Sequence, residues 1–170
     1  EDVNLDGRLD LLVSQNYVKW PVHRLFKFPG KVLLGDETSG GFRAAPVAPN
    51  PAFGNAPILA DLDGDARLDL FWLNNDGPSR AWRSLEGGNA VIVALPDTPR
   101  SLGARARLEG GGVGYTRELV SGAGLGTDSA PWLVLGIGPR TRADRLVVSF
   151  ADGRTVTVDD PPVNRPIVVE

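Results

Sequence analysis

Residues 60–70 read "ADLDGDARLDL" and place Asp61, Asp63, Asp65 and Asp69 within nine residues. Two carboxylates ~5 Å apart repel by roughly 3 kcal/mol at an effective dielectric of about 20, so gathering four without a counter-charge costs on the order of 20 kcal/mol. That exceeds the stability of a whole domain. A loop that splays its acids into water would avoid the cost, but the spacing favours a cation. Oxygen donors at loop positions 1, 3, 5 and 9, joined by the backbone carbonyl at position 7, supply the roughly six to eight hard ligands that calcium takes. Position 7 is Arg67, whose carbonyl, not its side chain, is the candidate ligand.

A second copy opens the chain. "DVNLDGRLDL" offers Asp2, Asn4, Asp6 and Asp10 at the same four positions and Arg8 at position 7, and Asp2 and Asp61 are 59 residues apart. An EF-hand shares positions 1, 3 and 5 but needs a bidentate Glu at position 12 and a following helix. Here position 12 is Val13 or Trp72. Each loop runs into a short apolar stretch, "DLLVSQNY" or "DLFWLNND", with β-branched or aromatic members and an Asn-rich end. These read as strands, so each metal loop is expected to join strands.

The composition, 42% hydrophobic and 23% charged over 170 residues, is that of a globular protein with one or two domains. A net charge of −3 provides no basic field for nucleic acid or an anionic membrane surface. No apolar run approaches the ~20 residues of a spanning helix, and no signal-peptide pattern stands at the N-terminus. With no Cys, disulfides, thiolate catalysis and Cys-ligated zinc are excluded. The chain has no Met and starts one residue before a candidate ligand, which suggests a processed chain or, preferably, a fragment of something longer. Calcium loops of millimolar affinity suit a secreted, extracellular or periplasmic setting, because cytosolic calcium is too scarce to fill them.

The composition shifts near residues 84–90: every Lys lies before Glu86, and the remainder uses only Arg. Before that boundary, the repeat spacing and the short strands are those of propeller blades. "HRLFKF" and "SRAWRS" occupy corresponding places after the two loops. Only about one and a half blades are present where closure takes about four, so the others are expected upstream. After it, "NAVIVALP", "GARARLE", "YTRELV", "PWLVLGIG", "RLVVSF", "RTVTV" and "RPIVVE" read as seven strands. Ala104, Ala106 and Leu108 alternate with Arg105 and Arg107, which predicts one buried and one solvated face. "FADGRT" supplies an Asp-Gly pair suited to a two-residue hairpin turn. The expected fold class is all-β: a partial β-propeller followed by a β-sandwich or small barrel.

These segments carry resemblances to known families. "PAFGNAPILADLDGDARLDL" resembles an FG-GAP or VCBS repeat, with Phe53, Gly54, Ala56 and Pro57 just before the calcium loop. Ala66 stands at position 6, where that pattern has Gly, so the second site is expected to be weakened by backbone strain; the first loop keeps Gly7 there. "SLGARARL", "RELVSGAG", "VLGIG" and "RLVVSFADGRTVTV" resemble successive motifs of the ASPIC/UnbV domain, although Phe150-Ala151 replaces the usual Trp-Pro. The resemblance implies an FG-GAP/VCBS region over 1–86 and an ASPIC/UnbV-like domain over 87–170, as in the C-terminal part of cartilage acidic protein-like proteins and their bacterial relatives.

A search for catalytic constellations yields none. His23 is the sole His, which rules out a His-based metal cluster and reads most simply as a strand or turn residue. "SGAGLGTD" lacks the Lys of a phosphate loop and any following helix. Acids committed to calcium cannot also serve as protonated general acids for glycoside hydrolysis, and Asp159-Asp160 before two prolines mark a solvated turn. Arg140, Arg142 and Arg145, with Arg105 and Arg107, outline a conceivable acidic-ligand patch that Asp144 interrupts; a solvated surface is the simpler reading. Trp20, Trp72, Trp82 and Trp132 could stack on sugars but fit core positions better. The expected function is therefore a non-enzymatic, calcium-binding extracellular module that presents loops to a protein or glycan. The alternative is an accessory part of a larger enzyme or of an enediyne-associated UnbV-type biosynthetic protein whose active site lies elsewhere.

Overall fold

The computed structural model describes residues 1–14, 29–47, 49–54, 57–109, 116–122 and 130–170. Among the described residues the elements are thirteen strands and one 3-10 turn at Pro99–Ser101. Leu11–Val13 (β1), Lys31–Asp36 (β2) and Gly41–Ala44 (β3) form one antiparallel sheet in the order β1-β2-β3. Ile58–Ala60 (β4), Asp69–Trp72 (β5) and Arg80–Trp82 (β6) form a second in the order β4-β5-β6. The strands β1 and β5 follow the two acidic loops directly. The loops are too tight, and the stretches after them too short and too rich in branched and aromatic residues, for helices.

The two sheets share a core of Val32, Leu34, Leu70 and Trp72, flanked by Val3, Leu12, Leu59 and Trp82. Alternation along β2 sends Val32 and Leu34 inward, and along β5 it does the same for Leu70 and Trp72. Trp72 is the largest fully buried side chain among the described residues, at 1% exposure.

The remaining strands are Asn89–Ala94 (β7), Arg105–Glu109 (β8), Thr116–Glu118 (β9), Trp132–Gly138 (β10), Arg145–Ser149 (β11), Thr155–Asp159 (β12) and Pro166–Val168 (β13). They correspond one for one to the seven apolar segments of the sequence. A three-stranded sheet, β10-β7-β13, faces a four-stranded one, β12-β11-β8-β9. Between them lies a core that includes Val91, Val93, Leu133, Leu135, Ala106, Leu108, Leu146 and Val148. The unit is thus a sandwich, not a closed barrel. Along β8 the pattern is as anticipated: Arg105 and Arg107 are exposed, and Ala106 and Leu108 are buried.

The central strand β7 is covered on both faces, which explains why "NAVIVA" is apolar throughout and does not alternate. Val91 and Val93 point into the sandwich core. Ala90 and Ile92 point the other way, onto Leu5, Ala66 and Leu68 of the two acidic loops. These loops therefore sit against the outer face of the sandwich.

One turn differs from its sequence reading. The β11–β12 hairpin closes through three residues, Ala151, Asp152 and Gly153: Phe150 N–H donates to Arg154 O, and Gly153 N–H donates to Phe150 O. Only Gly153, at φ 89°, lies in the left-handed region, whereas a two-residue type I′ turn needs both central residues there. The Asp152 carboxylate instead accepts the Arg154 N–H at 2.9 Å.

Candidate metal centre

The two acidic loops share a set of equivalent hydrogen bonds at positions 1 and 5. At position 1, Asp2 Oδ1 accepts the N–H of Asp6 at 3.1 Å and Oδ2 that of Gly7 at 2.9 Å. In the second loop, Asp61 Oδ1 accepts the N–H of Asp65 at 3.1 Å and Oδ2 that of Ala66 at 2.9 Å. At position 5, Asp6 accepts the Arg8 N–H and Asp65 the Arg67 N–H, both at 2.9 Å. These bonds wind the chain around the position-1 carboxylate and, in the second loop, turn the acids at positions 1, 3 and 5 toward one another.

The two position-9 residues hold the loops to their sheets. Asp10 accepts the N–H of Val3 at 2.7 Å on one oxygen and that of Gly35 at 2.8 Å on the other. Asp69 does the same with Leu62 at 3.1 Å and Ser84 at 2.8 Å. Both are buried. Each links the start of its loop to a segment further along the chain, a bracing role that ligand spacing alone did not suggest.

Tight winding requires a left-handed backbone at positions 4 and 6, and the loops meet that need in opposite ways. The first has Leu5 at φ 58° and Gly7 at φ 94°; the second has Gly64 at φ 80° and Ala66 at φ 68°. Each loop thus carries one residue with a Cβ where glycine is the unstrained choice. The strain anticipated at Ala66 has a counterpart at Leu5 that the motif pattern did not flag.

Asp61, Asp63 and Asp65 each place a carboxylate oxygen within 4.8 Å of the others, a group able to hold a metal ion. Arg83 pairs with Asp63 and lies 3.6 Å from Asp65, and Arg67 reaches Asp65 at 2.9 Å. The Arg67 N–H, followed by the nearby guanidinium groups of Arg67 and Arg83, holds the Asp65 carboxyl below its ordinary range. The first loop is quite different electrostatically. Asp2 is 1% exposed, and burial pushes its carboxyl up to about 6 against the opposing effects of the Gly7 N–H and the Arg117 guanidinium. Asn4 replaces one acid there, and its amide donates to Asp6 at 3.0 Å.

The other residues singled out by the sequence are placed as follows. Arg142 and Arg145 pair with Asp160 and Asp159 at 2.6 and 2.7 Å, and Arg105 pairs with Glu118 at 2.7 Å. Arg142 and Arg145 and the Asp159-Asp160 turn thus neutralise one another on the surface, and Glu118 neutralises Arg105. Trp72 and Trp82 belong to the core between the first two sheets, whereas Trp132 is 44% exposed. His23, Trp20, Ala56 and most of "SGAGLGTD" lie outside the described residues. Two features escaped the sequence reading: the Asn50–Asn74 amide pair, which belongs to no recognisable motif, and the burial of Arg117, which opens the "RELVSGAG" stretch but was not singled out there.

Residues 2–72 match the FG-GAP-like repeat, and residues 96–170 match the family described as ASPIC and UnbV. A search of curated proteins found no match. FG-GAP-like repeats form propeller-type β structure, which accounts for the paired small sheets and their repeated loops. The chain is accordingly similar to an FG-GAP-like repeat over residues 2–72 and, after it, to an ASPIC and UnbV domain over residues 96–170.

Proposed function

We infer that this chain is a non-catalytic, calcium-binding module of extracellular or periplasmic proteins, in which the ion pins propeller-type sheets and fixes loops for contact with a protein or glycan. The observation that carries the reading is the convergence of Asp61, Asp63 and Asp65 within 4.8 Å. Three carboxylates at that range gain far more from one divalent ion than from mobile surface arginines. The oxygen-only donor set fits calcium or magnesium chemistry and no soft metal. The ion would be held by Asp61, Asp63, Asp65 and the Arg67 carbonyl in the second loop, and by Asp2, Asn4, Asp6 and the Arg8 carbonyl in the first. Asp10 and Asp69 brace the two loops from behind.

Bound ion stabilises only the folded loops, so stability should rise with calcium concentration once it exceeds the dissociation constant. The test is calorimetric titration of chelator-stripped protein with calcium, repeated for Asp63→Ala with Asp65→Ala and for Asp2→Ala with Asp6→Ala. Saturable binding lost loop by loop with each pair supports the reading. Folded protein that takes up no calcium at about 10⁻³ M, the range of extracellular modules, overturns it.

A further inference from the structure

Arg117 occupies a position where an apolar residue is expected. It lies in β9, directly across from Ala106 of β8, and Ala106 is completely buried in the sandwich core. Cross-strand partners point to the same face of a sheet. The Arg117 side chain is accordingly only 11% exposed, while its neighbours Thr116 and Glu118 are exposed. Burying a guanidinium is costly without a negative partner. Such a partner comes from the other family region: Arg117 Nη2 lies 3.7 Å from Asp2 Oδ2, the position-1 carboxylate of the first loop.

The sandwich also provides a shaped seat for this loop. Gly138 N–H donates to Leu5 O and Gly88 N–H to Asn4 O, both at 2.8 Å. The bulge between Gly136 and Gly138 in β10 releases the Gly138 N–H from the ladder for this bond. A Cβ on Gly136 would fall 2.6 Å from Leu5 Cα, and one on Gly88 would fall 2.8 Å from Gly138 Cα. Only glycine lets these backbones approach so closely. Leu5 itself is 1% exposed and packs on Ala90 and Ile92. The second loop touches the same sheet face through Ala66 and Leu68, but there it is Asp63 and Asp65, at positions 3 and 5, that pair with the more exposed side chains of Arg67 and Arg83.

We propose that Arg117 is a built-in counter-cation of the first loop: it holds that loop on the sandwich when calcium is absent and opposes calcium when it arrives. The proposal rests on the calcium reading above. A univalent cation fixed beside a ligand carboxylate repels a divalent ion bound to that carboxylate. The first loop therefore trades calcium affinity for a permanent connection between the two regions, and the second loop remains the calcium-responsive one. The coupling is reciprocal: whatever weakens the Arg117–Asp2 pair strengthens calcium binding at the first loop.

The experiment uses the full chain carrying Asp63→Ala and Asp65→Ala, so that heat reports the first loop alone. Calcium titration and amide exchange at Gly88 and Gly138 are compared for this parent and for its Arg117→Gln and Arg117→Lys derivatives, all in chelator-stripped protein. Arg117→Gln should bind calcium at least about tenfold more tightly. It should also lose protection of both amides in chelator and regain it with calcium. Arg117→Lys, which keeps the charge, should stay close to the parent in both measurements. Equal calcium affinity in the parent and the Arg117→Gln chain overturns the proposal alone. Amides equally protected in chelator in those two chains also overturn it. If none of the three binds calcium, the calcium reading of this loop fails and the proposal fails with it.

Discussion

Asn50 and Asn74 exchange side-chain amides: Asn50 Nδ2 donates to Asn74 Oδ1 at 2.8 Å, and Asn74 Nδ2 donates to Asn50 Oδ1 at 3.2 Å. Each also forms a backbone bridge, Asn50 with Gly30 and Asn74 with Gly54, so the pair ties the edge of one small sheet to that of the next. Asn50 is 1% exposed, and removing its amide would leave Asn74 without its reciprocal partner. Asn50→Ala should cost about 1–3 kcal/mol, measured by urea denaturation. Asn50→Asp should cost at least as much, because it buries a charge and replaces the amide donor with an acceptor. A neutral effect of both substitutions would mean that the pair is incidental.

The position-9 carboxylates each tie the start of their loop to a segment further along the chain, and mutation can separate this bracing from the metal-ligand role proposed for the loop acids. Asp69 accepts two backbone N–H groups, and hydrogen bonds to a charged acceptor are worth about 1.5–3 kcal/mol each. Asp69→Ala should therefore lower stability in chelator by about 3 kcal/mol, whereas Asp63→Ala should change it little without calcium. With saturating calcium the order of effects should narrow, because Asp63→Ala then loses the ion as well. Thermal unfolding of both variants, with and without calcium, makes the comparison. Equal losses in chelator would place Asp69 with the ligands and remove its separate bracing role.

The loops were legible in the sequence because their spacing is a local property: four oxygen donors over nine residues repeat 59 residues later. The sandwich strands were legible for the same reason, since alternation along β8 sorts Arg105 and Arg107 from Ala106 and Leu108 without knowledge of any partner. What stayed hidden was relational. Arg117 opens the "RELVSGAG" stretch, but nothing in the sequence tells that it is buried against Asp2, from the opposite end of the repeat region. Gly136 and Gly138 read as members of a family motif, but the need for glycine at Gly136 comes from Leu5 pressing on it. The uninterrupted apolar run of β7 was a usable signal: a strand buried on both faces needs a second covering layer, and here the loops provide it.

Positions 4 and 6 of the second loop allow a test of backbone strain in opposite directions. Ala66 at φ 68° bears roughly 1–2 kcal/mol of left-handed strain, part of which Gly would return in unfolded-chain entropy. Ala66→Gly should therefore gain about 0.5 kcal/mol and tighten calcium binding at the second loop. A Cβ on Gly64 at φ 80° would meet nothing within 4 Å, so Gly64→Ala isolates the conformational cost at about 1 kcal/mol. Denaturation and calcium titration of both variants should show opposite signs. A loss on Ala66→Gly would show that the packing of the methyl in the cluster with Leu5 and Ile92 outweighs the strain.

Trp72 tests whether the propeller-type sheets stand on a core of their own. It is 1% exposed and belongs with Val32, Leu34 and Leu70 to a cluster that shares no member with the sandwich core. A Cβ on Gly30 would sit 3.0 Å from its Cη2 atom, so the indole fills its space to the backbone on the far side. Trp72→Ala should cost about 3–5 kcal/mol through lost transfer energy and an unfilled cavity. The damage should be local: amides of β2 and β5 should exchange faster, and those of β8 and β11 should stay protected. On the proposed calcium reading, calcium should recover part of the loss, because an ion held by loops that only the folded sheets keep in shape stabilises the folded state. Uniform acceleration across all four strands would instead mean that the Leu5 seat couples both cores into one cooperative unit, with the loop contacts carrying more of the stability than either core alone.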